Sequence, residues 1–267
     1  MRIGIYAPPP ALTPAPCLWQ VLGAVMNINR GNPAVYEVLV DSWPEFKAVL
    51  TQPEREVASD DSDFYTNTYA AYYRDLGAYR ALLDSAINWS QAFWIHGNMG
   101  PTALKRAYMF CLGQTPGSRP TVPALKPTGP PKLDPAVRLL SLDISHIDLV
   151  NEMWAFGGND RSRRYLTRLI RLFPSICLLD AASRPVSWTL SDPFGAMSHG
   201  YTLPQHRGRG YIQVMMNVLA KRLHALGYPS YCHVALDNYP MQRLPERQGF
   251  QRQWDCGGLW GLRFILK

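Results

Sequence analysis

The chain has 267 residues, 47% of them apolar and 12% aromatic, enough for one large or two modest cores and against a disordered chain. Its net charge of +7 points to an anionic partner, with nucleic acid, an acidic membrane surface and a phosphate-bearing cofactor equal on charge alone. The five scattered cysteines form no CxxC pair and the six histidines no HExxH spacing, which argues against a disulfide framework and a metal site; no run approaches the about 18–20 apolar residues of a membrane span.

In chain order, residues 1–20 read as an irregular start. Pro8, Pro9 and Pro10 break any apolar stretch a signal peptide would need, and arginine and serine are too few for a transit peptide. Residues 21–112 read as a small mixed α/β domain. Strands are expected at Val21–Ile28 and Glu37–Val40 around the turn chemistry of Arg30-Gly-Asn-Pro33, and again at Ala48–Thr51. Tyr65–Tyr73 and Ala78–Leu83 have helical spacing, and Asn88–Ile95 leads into another strand. Seven prolines between Gln114 and Pro135 exclude helix and central strand, so 113–135 reads as an extended linker.

Residues 136–267 alternate helix and strand. Ser145–Trp154 and Arg163–Phe173 are expected as helices, the first capped by Asp143 or Ser145, the second started by Asn159 or Ser162. Ile176–Leu179 and Val186–Leu190 read as a hairpin and Met197–Leu203 as a third strand. A helix from Tyr211 to Leu226 ends at Gly227, followed by strands at Tyr231–Leu236 and Leu259–Leu266. No internal repeat appears in the residues. The whole reads as an α/β chain with an α+β type of mixed sheet.

The informative segment is Leu203-Pro-Gln-His-Arg-Gly-Arg-Gly-Tyr211, between a strand and an amphipathic helix. Gly208 and Gly210 allow a close approach of main chain to ligand, and the helix that follows offers unpaired N–H groups and the positive end of its dipole. A pyrophosphate fits such a turn, with Arg207 and Arg209 adding charge. A GxGxxG fingerprint fails for want of a third glycine, and the Gly-Lys-Ser/Thr ending of a P-loop is absent. The basic stripe with stacking aromatics that nucleic-acid binding needs is also missing.

Gln205-x-x-Gly208-x-Gly210 at a strand–helix junction resembles the acyl-CoA motif of the GNAT N-acetyltransferase superfamily, and Tyr231–Leu236, Asn238 and Gly249-Phe250 follow in the matching order. Gly31-Asn-Pro33, Asp41-Ser-Trp-Pro-Glu-Phe46, Phe64–Tyr69, Phe156–Asp160, Phe173-Pro174 and Gly200–Pro204 are similar to the glycine N-acyltransferase family, and Gly23–Pro33 to its glycine N-acyltransferase-like branch. The likeness runs from about Leu22 onward. Before it the family has a helical leader where this chain has prolines, as a truncated or alternatively spliced start would give.

This resemblance implies a GNAT-type C-terminal domain at 136–267 and an enzyme that transfers an acyl group from acyl-CoA to the amine of glycine. Transfer would be direct, in a ternary complex, with acyl-CoA as co-substrate and no permanently bound cofactor. It implies CoA contacts from Tyr201, Leu203, Gln205, His206, Arg207, Gly208, Arg209, Gly210 and Tyr211, main-chain N–H groups along Met197–Leu203 for the thioester carbonyl and pantetheine amides, and Asn238 on the pantetheine arm. A monomer is expected. The family likeness suggests mitochondria, with the cytoplasm as alternative.

Two family proton handlers are absent. The glutamate of a Gly-Glu-Met context falls on Ala196, and the superfamily's tyrosine acid falls on Pro245. A catalytically weak acyl-CoA-binding protein is therefore the competing reading. Among substitutes, His199 lies in the right strand and suits proton removal near neutral pH. Its parity differs from that of position 196, so it faces substrate only if a bulge intervenes. Asp192 is explained by turn chemistry before Pro193, His233 by the core, and the arginines from Arg161 to Arg171 by a solvated helix face. Cys232 and Cys256 have no histidine at a partner spacing.

Overall fold

The computed structural model describes residues 18–97, 107–112, 133–253 and 260–262. The expectations for 1–17 and most of the proline-rich linker lie outside the described residues. Two compact units form, one from the chain up to Met109 together with Gln253–Lys267, the other from Phe110–Arg252.

The first unit runs α1 (Trp19–Asn29), β1 (Tyr36–Val40), β2 (Ala48–Pro53), β3 (Thr68–Tyr73), α2 (Leu76–Ala86) and β4 (Phe93–Gly97). The strand expected at Val21–Ile28 is therefore a helix. Its β-branched and apolar residues mimic a buried strand, but Val21, Ala24 and Val25 bury at three- and four-residue spacing. The helical reading of Tyr65–Tyr73 is likewise corrected. The stretch turns at Asp63–Asn67 and then enters β3, where Ala70 and Ala71 pair with Thr51 and Leu50; tyrosines favour such a pleated, packed surface. Asn32, at φ +49°, closes the turn before β1 by accepting from the Tyr36 amide and donating to its carbonyl, both at 2.8 Å.

The second unit's sheet takes in β5 (Ala107–Leu112) and β6 (Arg138–Leu140). Next come α3 (Ile147–Met153), led by a 3₁₀ turn capped by Asp143, and α4 (Asp160–Leu172), capped by Asn159 in a reciprocal pair with Ser162. Then follow β7 (Ser175–Leu179), β8 (Pro185–Ser191), β9 (Met197–Thr202), α5 (Tyr211–Ala225), β10 (Tyr231–Ala235), α6 (Tyr239–Arg247) and β11 (Phe250–Gln253); the last strand, β12 (Trp260–Leu262), belongs to the first unit. The sequence reading lacks β5, β6, α6 and β11.

The sheets run β1-β2-β3-β4-β12 and β11-β5-β10-β9-β8-β7-β6. In each unit three antiparallel strands lead through a helix to a parallel fourth: β1-β2-β3-α2-β4 in the first, β7-β8-β9-α5-β10 in the second. A repeat invisible in the residues is thus present in the connectivity.

Candidate functional site

The two parallel pairs differ where it matters. In the first unit β3 and β4 pair through four successive positions, Thr68↔Trp94 to Ala71↔Gly97. In the second, β9 and β10 meet at Met197 opposite Cys232, while β8 follows β9 from Met197 to Thr202. Beyond Met197 the two strands part, so the β10-facing edge of β9 has peptide groups that a ligand's amides can pair with, as an added strand would.

On its other side, against β8, β9 carries a bulge. Trp188 pairs with Tyr201 and Leu190 with Ser198, leaving His199 and Gly200 opposite Thr189 alone. His199 takes a left-handed φ of +53°. The extra residue shifts side-chain parity, and the His199 ring lies against Trp154, just past α3, at 4.7 Å and Tyr165 of α4 at 5.9 Å between centroids. This is the bulge on which a substrate-facing His199 depends. Its Nδ1 lies 2.8 Å from Ser198 Oγ, and burial lowers its pKa to about 4, so the imidazole is neutral at physiological pH. Ser198 Oγ also reaches the Leu190 carbonyl at 3.5 Å. With that hydroxyl hydrogen directed to Leu190, Nδ1–H donates to Ser198 and Nε2 keeps its lone pair.

At the far end of β9 the chain turns through Leu203–Gly210. Gly208 and Gly210 have φ +77° and +72°, and α5 starts on Gly210 with no side-chain cap. The first-turn N–H groups of such a helix find no intrahelical partner, which suits them to phosphate. Beside the turn, the rings of His206 and Tyr211 stack at 6.4 Å, and His206 Nδ1 and Tyr211 Oη are buried without a hydrogen-bond partner. Tyr211 is only 3% exposed, so its hydroxyl calls for a ligand or water.

Not every expected residue sits at this turn. Arg207 folds back, donating to the Thr202 carbonyl at 3.1 Å and Tyr201 Oη at 3.2 Å. Arg209 lies 3.8 Å from the Asp134 carboxylate. Leu203 donates its N–H to Val186, and Gln205 is exposed in the 3₁₀ turn. Asn238 caps α6, its Oδ1 accepting from Met241 N at 3.3 Å.

Ala196 is buried just before β9, and Pro245 lies inside α6. Four residues before Ala196, the Asp192 Oδ1 accepts from the amides of Phe194 and Ala196, both at 2.9 Å. Burial raises its pKa to about 7 against the opposing pull of those two amides. His233 on β10 is also held down to about 4 by burial. Sequence reasoning missed the aromatic cluster of Trp154, Phe156 and Tyr165: Trp154 and Phe156 share the loop after α3, Tyr165 comes from α4, and Trp154 and Tyr165 meet His199 of β9 only through the fold. Among the described residues no cluster of three or more potential metal ligands forms, and no helix is long and apolar enough to cross a membrane.

Comparison with known proteins agrees with this geometry. The family model described as aralkyl acyl-CoA:amino acid N-acyltransferase matches residues 14–104 and 114–174, and the model of its C-terminal region matches 176–257. Glycine N-phenylacetyltransferase of Bos taurus is 35% identical over 270 residues, covering 89% of this chain and 90% of that protein. An X-ray structure of a Drosophila protein superposes with a TM-score of 0.65 at 12% identity, covering 92% of this chain and 88% of that one. A tandem GNAT protein from the clavulanic acid biosynthesis pathway gives 0.50 at 14% identity, covering 96% and 90%. These two solved structures speak to the fold alone.

Proposed function

Because the chain belongs to the aralkyl acyl-CoA:amino acid N-acyltransferase family, we propose that it transfers an acyl group from acyl-CoA to the amine of glycine, releasing N-acylglycine and free CoA. The observation that carries this reading is the parting of β9 from β10 directly before a glycine turn and an uncapped helix. The glycine acceptor rests on the relatives' names, among them the bovine glycine N-phenylacetyltransferase.

In this reading the pyrophosphate lies on the turn at Gly208–Tyr211 and the pantetheine arm runs back along β9. Peptide N–H groups at the bulge polarise the thioester carbonyl, and the amine attacks it directly. Tyr201, Leu203, Gln205, His206, Arg207, Arg209 and Asn238 complete the CoA contacts. Tyr211 Oη and His206 Nδ1 gain partners they otherwise lack. Acyl-CoA is taken up and released at each turnover.

His199 is the proton acceptor we assign. In the tautomer whose Nδ1–H donates to Ser198 Oγ, Nε2 is unprotonated, and the bulge turns the ring off the face that simple alternation gives it. His199→Ala should lower kcat by about 100-fold, a typical contribution of a positioned base, with little change in acyl-CoA binding. We further assign the chain to mitochondria as a monomer, on family likeness, with a functional division at the 113–135 linker.

The test is glycine-dependent release of CoA thiol from a panel of short- to long-chain acyl-CoAs, with Gly208→Ala/Gly210→Ala as control. Both positions have a φ that an L side chain rarely adopts, so the double variant should lose acyl-CoA binding. Release without glycine, or release that persists in the control, would refute the proposal.

A further inference from the structure

We propose that Trp154 and Phe156, on the loop between α3 and α4, form the wall that holds the hydrocarbon part of the donor's acyl group. This rests on the transferase reading only in placing the thioester at the β9 bulge.

The loop is built to present these rings. Gly157 donates its N–H to the Trp154 carbonyl at 2.8 Å, and Gly158 N–H reaches the backbone and side-chain oxygens of Asn151 at 3.0 and 3.2 Å. Asn151, itself buried, accepts from Ser162 Oγ at 2.6 Å and donates to the Asn159 carbonyl at 3.3 Å. A Cβ at Gly157 would lie 2.2 Å from the Asn151 carbonyl oxygen, so only glycine fits there. On this tied loop Phe156 is 62% exposed and meets Trp154 edge-to-face at 6.1 Å.

Trp154 stands over the His199 ring and stacks on Tyr165 at 6.0 Å. His199 is three residues from the end of β9, or about 10 Å of strand before the phosphate turn begins. A thioester on an arm laid along β9 therefore reaches this cluster. Two occupants compete for it, the acyl chain and the glycine. The four rings carry no charge at neutral pH, with His199 kept neutral by burial. A carboxylate-bearing zwitterion gains little there, whereas a hydrocarbon tail gains about 25 cal/mol for each Å² it buries. The chemistry favours the acyl group.

The experiment measures binding directly, so it does not depend on turnover. Dissociation constants of acetyl-CoA, octanoyl-CoA and phenylacetyl-CoA are determined by calorimetry for the wild type, Phe156→Ala and the milder Phe156→Leu. Thiol release is followed in parallel. The wild type should bind octanoyl- and phenylacetyl-CoA more tightly than acetyl-CoA. Phe156→Ala should erase about tenfold of that preference and leave acetyl-CoA within about twofold, with Phe156→Leu intermediate. Unchanged constants for all three donors would overturn the wall, as would a selective rise in the KM for glycine. A wild type that binds octanoyl-CoA tightly yet releases no thiol with glycine would sink the transferase reading while the binding arm still decides the wall. Failure to bind any acyl-CoA would overturn both.

Discussion

Asp192 is a carboxylate 9% exposed at the tip of the β8–β9 hairpin, with both of its backbone hydrogen bonds on Oδ1. The titratable group facing it from β10 is Tyr231, whose phenol is pushed well up by burial first and by the Asp192 charge second. Burial raises the Asp192 pKa from 3.8 to about 7. A carboxyl group whose pKa is higher folded than unfolded binds its proton more tightly in the native state. The contribution of this one group to stability is therefore fullest below about pH 4, falls as pH rises toward 7 and levels off above. Three pKa units correspond to at most roughly 4 kcal/mol. Asp192→Asn keeps an oxygen for both amides and removes the charge. Its melting temperature should exceed the wild type's by several degrees at pH 8 and match it near pH 3.5. Equal melting temperatures at pH 8 would show that the carboxylate is not destabilised by its burial.

At the scale of elements, short contacts decide which glycines are replaceable. A Cβ at Gly97 would lie 1.9 Å from the Ala71 carbonyl oxygen, where β4 meets β3, and Gly97 has φ +134°. Gly97→Ala should therefore lower the melting temperature by several degrees, a loss of a few kcal/mol. Gly31 also has positive φ but has open space around it, so Gly31→Ala should cost less in the same melt. Much of the second unit was legible for a related reason. Its turn chemistry is local: Asn159 and Ser162 cap α4, Gly227 follows α5, and Gly208 and Gly210 mark the ligand turn. Elements whose identity depends on distant partners were not legible. Val21–Ile28 and Tyr65–Tyr73 exchange helix for strand because tertiary packing, not local preference, decides apolar runs of that length. The glycine turn before α5 was readable from Gly208 and Gly210, though not the folding back of Arg207 onto Tyr201, whereas the bulge at His199 was readable only as a condition, since it exists in the register between β8 and β9. The aromatic wall lies on one loop, but its meeting with Tyr165 of α4 and His199 of β9 is made by the fold and left no trace in spacing.

For the whole molecule, the repeated connectivity raises the question of a second donor site. The first unit has the same order of strands and crossover, but β3 and β4 stay paired over four positions. The β3–α2 connection is only Arg74-Asp75, and the Asp75 carboxylate already caps α2 at Ala78 N, 2.7 Å away. A closed strand pair and an anion on the helix end leave no place for pantetheine or phosphate. Calorimetric titration should therefore give one acyl-CoA per chain, abolished by Gly208→Ala/Gly210→Ala. A stoichiometry of two would locate a second site in the first unit.

The position of β12 has a consequence during synthesis. It pairs with β4 as Trp260↔Ile95, Gly261↔Trp94 and Leu262↔Phe93, closing one edge of a sheet whose other strands all lie before residue 98. At about 5–20 residues per second, a ribosome needs roughly 8–30 s to travel from one partner to the other. Through that interval the nascent β4 offers an open row of amides and carbonyls beside a finished core, the kind of edge that recruits stray strands. The first unit to emerge is thus the last to be sealed, and its safe passage depends on what keeps β4 solitary until the chain's final residues arrive.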